Sequence, residues 1–243
     1  MTGVAGRRAV VTGASNGIGL ATSTALAAAG ATVVGLDVEP GPEGLDIRLV
    51  DLADSDAVVA AAVELATAGV DILVNCAGTF AATPLLELDA TDYHRLLAVD
   101  LHAPVLLMTH LGSGMAARGW GRIVNVTSVH ASVGEPGTLA YDVAKAGLEA
   151  ATRAAAIELA PWGVLVNAVA PGFVSTRMAL VDGVDELDLP EPHAVYIEHG
   201  RIPLRRGARP GEVAELVVWL AGEENSYVTG QSVRVDGGLT VRL

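Results

Sequence analysis

Five short runs of β-branched and aliphatic residues recur along the chain, separated by longer alanine- and leucine-rich stretches with helical spacing. The runs cover residues 9–12, 32–36, 71–75, 122–126 and 164–169. None of them shows regular alternation of apolar and polar residues, so none offers a polar face to water. This pattern is typical of a parallel sheet covered by helices on both faces. The sequence therefore predicts one doubly wound α/β domain over residues 1–243.

The composition excludes several classes of protein. Fifteen basic residues stand against 28 acidic ones, and the net charge of -13 argues against nucleic-acid binding, which needs clustered cations. The single cysteine, Cys76, cannot form an intramolecular disulfide, so we expect a reducing, cytoplasmic compartment and read Cys76 as a small buried filler. Because we find no apolar run near the ~20 residues that span a bilayer, we expect a soluble protein.

A glycine cluster follows the first strand run, where a helix is predicted over residues 20–29. Gly13, Gly17 and Gly19 lie in this turn. Glycine permits positive φ and lets a pyrophosphate approach the backbone, and a helix N-terminus offers free N–H groups and partial positive charge. Tight turns use glycine too, but the position at the start of a βαβ unit favours dinucleotide binding.

Two acidic residues follow the next strand runs. Asp37 ends the second run, where a carboxylate can bind the adenosine ribose and repel the 2'-phosphate of NADP. No Lys or Arg follows at positions 38–40, so the sequence predicts NAD as cofactor. Asp51, after a predicted strand at 47–50, either contacts the adenine amino group or caps the helix that begins near Asp54.

A tyrosine and a lysine are four residues apart on a predicted helix. Tyr141 and Lys145 therefore share one helix face. The lysine charge favours the ionised phenol and so lowers the tyrosine pKa from about 10. Ser128 follows the run at 122–126, which places its hydroxyl at the ligand-binding edge of the sheet.

These motifs together resemble the short-chain dehydrogenase/reductase family, beginning with the glycine spacing Gly13-x3-Gly17-x-Gly19. Matching stretches follow in order at 75–78, 125–128, 141–145, 167–172, and 229–230 with 235–238, so the resemblance covers residues 8–238. It implies a Rossmann-type domain with a parallel seven-stranded sheet that transfers hydride between NAD and a secondary alcohol or ketone. It also implies a homotetramer built on helices near residues 102–118 and 139–160, although packing within one subunit could also explain their many alanines.

The resemblance assigns roles to individual residues. Tyr141 is implied as general acid/base, Ser128 as partner of the substrate oxygen, and Lys145 as holding the nicotinamide ribose and the tyrosine pKa. Val174 and Thr176 are implied as contacts of the nicotinamide carboxamide. The other implied cofactor contacts are Gly13, Ser15, Asn16, Gly17, Ile18, Gly19, Asp37, Asp51, Leu52, Asn75, Ala77, Gly78, Tyr141, Lys145, Pro171 and Gly172.

Two positions depart from the family pattern. Asp100 stands where most members have an asparagine that anchors a water on the proton path to the lysine. Asp100 could hold that water in a catalytic role, but an ionised carboxylate would also stabilise the Lys145 ammonium and oppose a phenolate. Asp142 follows Tyr141 where small residues are common, and we expect its side chain to face solvent.

The substrate is expected to lie near a long irregular stretch, residues 171–210. We interpret residues 173–204, including Phe173, as the substrate loop, with a mobile surface insertion as the alternative. His130 either contacts the substrate or faces solvent. The arginines at 201, 205, 206 and 209 indicate an anionic substrate or carrier, or only the solvated approach to a helix predicted over 211–221. The six histidines offer no metal-binding pair, so no metal site is predicted.

Two other functions remain as alternatives. A 3-oxoacyl-carrier-protein type reductase commonly uses NADPH and is disfavoured by Asp37. A dinucleotide-binding regulator without chemistry would have no need of Ser128, Tyr141 and Lys145 together.

Overall fold

The computed structural model describes residues 3–241, so residues 1, 2, 242 and 243 of the predicted domain lie outside the described part. Seven parallel strands form one sheet in the order β3-β2-β1-β4-β5-β6-β9. The strands are β1 (Arg8–Thr12), β2 (Thr32–Asp37), β3 (Asp46–Leu49), β4 (Ile72–Asn75), β5 (Gly121–Val126), β6 (Val164–Pro171), β7 (Leu180–Val181), β8 (Val184–Asp185) and β9 (Ser232–Val235). The doubly wound α/β prediction is confirmed.

Helices cover both faces of this sheet. They are α1 (Gly17–Ala28), α2 (Ser55–Thr67), α3 (Ala90–Leu97), α4 (Ala103–Arg118), α5 (Leu139–Leu159), the short α6 (Pro190–Pro192) and α7 (Pro210–Ala221). Successive strand residues feed opposite layers, because side chains alternate across a strand. Val10 and Leu73 pack in the layer under α2, α4 and α5, whereas Val11 and Val74 pack under α1 and α7.

The helical segment Ala90–Arg118 joins α3 to α4 through a π-helical turn, Ala98–His102. By length and composition this segment could cross a membrane, but half of its most apolar window is buried inside the protein. Its α4 portion packs against α2 and α5. We therefore interpret it as a core helix of the fold.

The functional edge lies where β1 and β4 are neighbours although β2 follows β1 in the chain. Such a switch in strand order opens a crevice at the carboxyl ends of the strands. The stretch after β6 crosses this edge and is more ordered than predicted, because it contains the β7–β8 hairpin, α6 and several helical turns. Leu187 and Ile202 of this stretch are buried against Val129, which follows β5.

Candidate active site

The turn between β1 and α1 requires glycine at three places. Gly13 and Gly17 have φ of +67° and +53°, and a Cβ on Gly13 would lie 2.8 Å from Ala77 Cα. A Cβ on Gly19 would clash with the carbonyl oxygen of Gly13. The side chain of Asn16, the N-cap residue of α1, makes no capping bond, so the first N–H groups of the helix face the crevice uncapped. This cradle fits a pyrophosphate group.

The carboxylate of Asp37 lies beside the glycine turn at the end of β2. Its Oδ2 accepts a hydrogen bond from Ser15 N at 2.9 Å, and its Oδ1 accepts one from Glu39 N at 3.1 Å. Arg177 also reaches this end of the crevice and pairs with Glu39 at 3.0 Å. Sequence reasoning missed Arg177, because no local pattern links two residues 138 positions apart.

The two readings of Asp51 are resolved in part. Asp54, not Asp51, caps α2, because its carboxylate accepts from Asp56 N and Ala57 N; the capping alternative for Asp51 was wrong. Asp51 accepts from Ala53 N at 2.9 Å and lies 3.6 Å from Arg95. Leu52 is buried in the core, so only its backbone is available to a cofactor.

The segment after β4 is held close to β1 by one hydroxyl. Thr12 Oγ1 accepts hydrogen bonds from Cys76 N and Ala77 N, both at 2.9 Å. The Asn75 side chain points into the core and donates to Asn125 Oδ1 at 2.8 Å, so any cofactor contact there would be through the backbone. Burial raises the pKa of Cys76 to about 12, consistent with a filler rather than a reactive thiol.

Ser128, Tyr141 and Lys145 meet at the carboxyl end of β5. Ser128 lies two residues beyond that strand, and its hydroxyl is close enough to the phenol to lower the pKa of Tyr141. Lys145 Nζ lies 5.4 Å from the centre of the Tyr141 ring and donates to Val126 O at 3.3 Å. The three side chains thus adjoin one point, where a substrate oxygen could bind.

The fully buried carboxylate of Asp100 pairs directly with Lys145. Its Oδ2 lies 3.1 Å from Lys145 Nζ, and its Oδ1 accepts from Thr79 N at 2.8 Å. A Cβ on Gly78 would come within 3.1 Å of Asp100 Oδ2 and 3.3 Å of Lys145 Nζ, so glycine leaves room for this pair.

Burial and charge act in opposite directions on these groups. Burial raises the pKa of Tyr141, and Asp100 raises it further, whereas Lys145 lowers it. The predicted effect of the lysine is present, yet the net pKa of Tyr141 lies above its ordinary value. Burial lowers the pKa of Lys145, but Asp100, Tyr141 and Cys76 together raise it above its ordinary value.

His130 and Asp142 form a pair beside Tyr141. His130 Nδ1 lies 2.7 Å from Asp142 Oδ1, and the imidazole packs edge-on against the phenol ring with centroids 5.6 Å apart. The prediction that Asp142 faces solvent was wrong, because the first turn of α5 directs its side chain toward the 129–138 loop. Phe80 packs against Tyr141 in the same way, at 5.5 Å, and was also missed.

The stretch after β6 lies against both ends of the crevice. A Cβ on Gly17 would lie 3.3 Å from Thr176, so Thr176 adjoins the glycine turn. Gly172 N donates to Val235 O at 3.1 Å, which fixes the exit from Pro171, and Val174 bridges to Ala208. Phe173 packs against Tyr196, with ring centroids 4.6 Å apart.

Most of the arginine cluster is engaged within the protein. Arg206 and Arg209 pair with Glu212, and Arg205 donates to the carbonyls of Ile197 and Glu198. This arrangement favours the solvated approach to α7 over an anion-binding surface. Within residues 3–241, no group of three or more His, Cys, Asp or Glu side chains could hold a metal ion.

The chain is similar to known proteins over nearly its whole length. A family model described as Enoyl-(Acyl carrier protein) reductase matches residues 13–240. Cis-4-hydroxycyclohexanecarboxylate dehydrogenase of Sinomonas cyclohexanicum is 40% identical over 250 residues, covering 96% of each chain. The 3-oxoacyl-(acyl-carrier-protein) reductase of Aquifex aeolicus is 37% identical, over 96% of this chain and 97% of its own. The structure of a gluconate 5-dehydrogenase from Burkholderia cenocepacia J2315, in complex with NADP and tartrate, is similar with a TM-score of 0.89 and 29% identity. It covers 98% of this chain and 97% of its own.

Proposed function

Since this chain belongs to the short-chain dehydrogenase/reductase family of oxidoreductases, we propose that it transfers hydride between NAD and a secondary alcohol or ketone. The observation that carries this proposal is the convergence of Ser128, Tyr141 and Lys145 at one point on the sheet edge. When bound, nicotinamide supplies or accepts the hydride. The protein's own groups hold the substrate oxygen and move its proton.

Each of the three side chains has a distinct role in this proposal. Tyr141 takes the proton from an alcohol during oxidation and returns it to the oxygen during reduction. Ser128 positions that oxygen, and its lowering effect on the pKa of Tyr141 supports this role. Lys145 lowers the pKa of Tyr141 and would hold the nicotinamide ribose. Asp100, through its ion pair with Lys145, sets the charge around the phenol.

The shape of the crevice supports a dinucleotide, and its charges favour NAD over NADP. The glycine cradle adjoins uncapped N–H groups of α1, where Gly17 and Thr176 lie close together. The carboxylate of Asp37 lies at the adenosine end, where it would repel a 2'-phosphate. Arg177, the nearby cation, is neutralised by Glu39. The other cofactor contacts that the sequence predicts are part of this proposal.

Residues 173–204 are proposed to cover the substrate within a single domain of residues 1–243. Phe173 lies at the start of this segment, and its contact with Tyr196 joins the two ends of the cover. The buried Leu187 and Ile202 argue against a merely mobile insertion. We also propose a cytoplasmic protein, on the basis of its single cysteine, and a homotetramer.

The second candidate is a 3-oxoacyl-carrier-protein type reductase. The Aquifex aeolicus relative and the description of the matching family model favour it. Two features disfavour it: the acid at position 37, and the engagement of three of the four clustered arginines. A regulator without chemistry is disfavoured by the intact group of Ser128, Tyr141 and Lys145.

The substitution Tyr141→Phe tests the proposed chemistry. It removes the hydroxyl that carries the proton, so we expect turnover to fall by about 10²- to 10⁴-fold. Binding of NADH, measured by its fluorescence, should stay within about twofold of wild type. Turnover would be followed by NADH absorbance over a panel of secondary alcohols, polyols, hydroxy acids and steroids. A variant that keeps most of its activity would exclude Tyr141 as the acid/base.

A further inference from the structure

The pair of His130 and Asp142 lies beside Tyr141, near the proposed substrate site. His130 belongs to the helical turn that follows β5, and its backbone N–H donates to Ser128 Oγ at 3.2 Å. Asp142 belongs to the first turn of α5, one residue after Tyr141. The imidazole packs edge-on against the phenol ring of the proposed acid/base, with ring centroids 5.6 Å apart.

Asp142 is itself held in place, so it fixes the orientation of the imidazole. Thr138 Oγ1 donates to Asp142 Oδ2 at 2.9 Å, and Gly134 lies so close that a Cβ there would approach Oδ2 to 3.0 Å. Because a carboxylate accepts hydrogen bonds, the ring nitrogen that faces it, Nδ1, carries the proton. The other ring nitrogen, Nε2, makes no hydrogen bond to any residue in the range 3–241, and the side chain is 19% exposed.

The surroundings of His130 contain more carboxylates than cations. Glu135 accepts from the Tyr196 hydroxyl at 2.9 Å, which links the 129–138 loop to the substrate cover. Burial raises the pKa of Glu186, and the neighbouring carboxylates of Asp185 and Glu135 raise it further. His130 lowers it, so the histidine also lies near Glu186.

Two arginines lie at the edge of this region. Arg234 donates to Ser132 Oγ at 3.0 Å, and Arg201 acts on the Tyr196 hydroxyl. The charged groups around His130 thus include the carboxylates of Glu135, Asp185 and Glu186 as well as these two arginines. This balance disfavours a carboxylate or phosphate group on the substrate and favours a neutral polar one.

We propose that His130, oriented by Asp142, hydrogen-bonds a substrate hydroxyl group on the carbon next to the reacting one. This inference rests on the proposed dehydrogenase function. In the neutral ring, Nε2 accepts a hydrogen bond, and a substrate hydroxyl can donate it. The substrate class is then a neutral polyhydroxylated alcohol or the corresponding hydroxyketone. His130 contacts the substrate, and Asp142 is a positioning residue that acts through it.

Matched pairs of alcohols test this proposal. The probes are 2-butanol with 2,3-butanediol, and cyclohexanol with 1,2-cyclohexanediol, with 3-hydroxybutyrate as the anionic probe. For wild type, kcat/KM with NAD should be higher for each diol than for its monoalcohol. His130→Phe keeps a ring but no nitrogen, so the ratio of diol to monoalcohol should fall by about three- to tenfold, the value of one hydrogen bond.

Asp142→Asn should lower the same ratio by a smaller factor, because the imidazole remains but its orientation is less fixed. The controls His94→Phe and Asp92→Asn make comparable changes at exposed positions of α3, and they should leave the ratio at its wild-type value.

Three results would overturn the proposal. If His130→Phe lowers kcat/KM equally for diol and monoalcohol, His130 has only a structural role. A wild-type preference for 3-hydroxybutyrate that disappears in His130→Phe would show that the histidine binds an anion instead. If wild-type protein oxidises no alcohol with either cofactor, the proposed dehydrogenase function fails together with the role of His130. The first two results, by contrast, would overturn only the role of His130.

Discussion

At the scale of single residues, the positions of two carboxylates determine which polar groups the crevice can bind. Asp37 is held by two backbone N–H groups, so its charge stays at the adenosine end whatever the surrounding side chains do. Asp142 shows the same principle at the other end of the crevice, where it fixes a histidine. In both places a small, anchored anion decides which polar group can approach.

The cofactor preference is a prediction at this scale. Purified protein should bind NADH at least about tenfold more tightly than NADPH, equivalent to about 1.4 kcal/mol. Asp37→Asn should narrow that ratio, because it removes the charge that repels the 2'-phosphate. Asp46→Asn, an identical charge change at an exposed residue of β3, is the matched control. Fluorescence titration measures both constants, and equal affinities in wild type would refute the role of Asp37.

At the scale of elements, the π-helical turn Ala98–His102 carries the carboxylate that pairs with Lys145. A π turn widens the helix by one residue and is frequent at functional sites. Here it carries Asp100 to the end of β4, where Thr79 N and the Lys145 ammonium both reach its carboxylate. The same helix without the wide turn would place position 100 differently relative to Lys145.

We expect Asp100→Asn to change the pH dependence of the enzyme. Tyr141 must be deprotonated to accept the alcohol proton, so oxidation rises as pH passes the pKa of Tyr141. Asp100 raises this pKa, and its charge also offsets that of Lys145. Removing the negative charge should therefore lower the pKa and shift the rise to lower pH, by up to about one unit.

The measurement is kcat/KM for oxidation against pH, with Asp92→Asn on α3 as a control for loss of one exposed charge. A profile that stays in place, or that moves to higher pH, would contradict the proposed influence of Asp100 on Tyr141.

At the scale of the whole molecule, apolar side chains on α5 and just beyond it lie outside the core. Ile157 is 77% exposed and Trp162 is 59% exposed. Val105, on α4, is partly exposed as well. Exposed apolar groups of this size on two neighbouring helices are typical of an interface between subunits. They are consistent with the proposed homotetramer.

Light scattering tests the assembly. Wild-type protein should have the mass of a tetramer, and Ile157→Arg should shift it to smaller species, because a charge would be buried at the interface. Val63→Arg places the same side chain on the exposed face of α2 and should leave the mass unchanged. A monomeric wild-type protein would contradict the assignment.

The sequence alone predicted the class of fold, which the structure confirms, and the positions along the chain of the residues proposed to carry the chemistry. Buried β-branched runs can pair only in a sheet covered on both faces. The glycine spacing and the Tyr141–Lys145 interval involve residues fewer than ten positions apart, so both can be recognised in the sequence. Boundaries were close: the strand predicted at 47–50 is Asp46–Leu49, and the helix predicted at 20–29 is Gly17–Ala28.

Only the tertiary structure decided which distant groups become partners. Arg177 pairs with Glu39, Tyr196 with Glu135 and Asp100 with Lys145 across tens of positions in the chain. Asp142 binds His130 because a turn of α5 aims it inward, although its place after Tyr141 predicted solvent. Contacts of this kind depend on side-chain direction and on packing of whole elements, and neither leaves a periodic trace in the sequence.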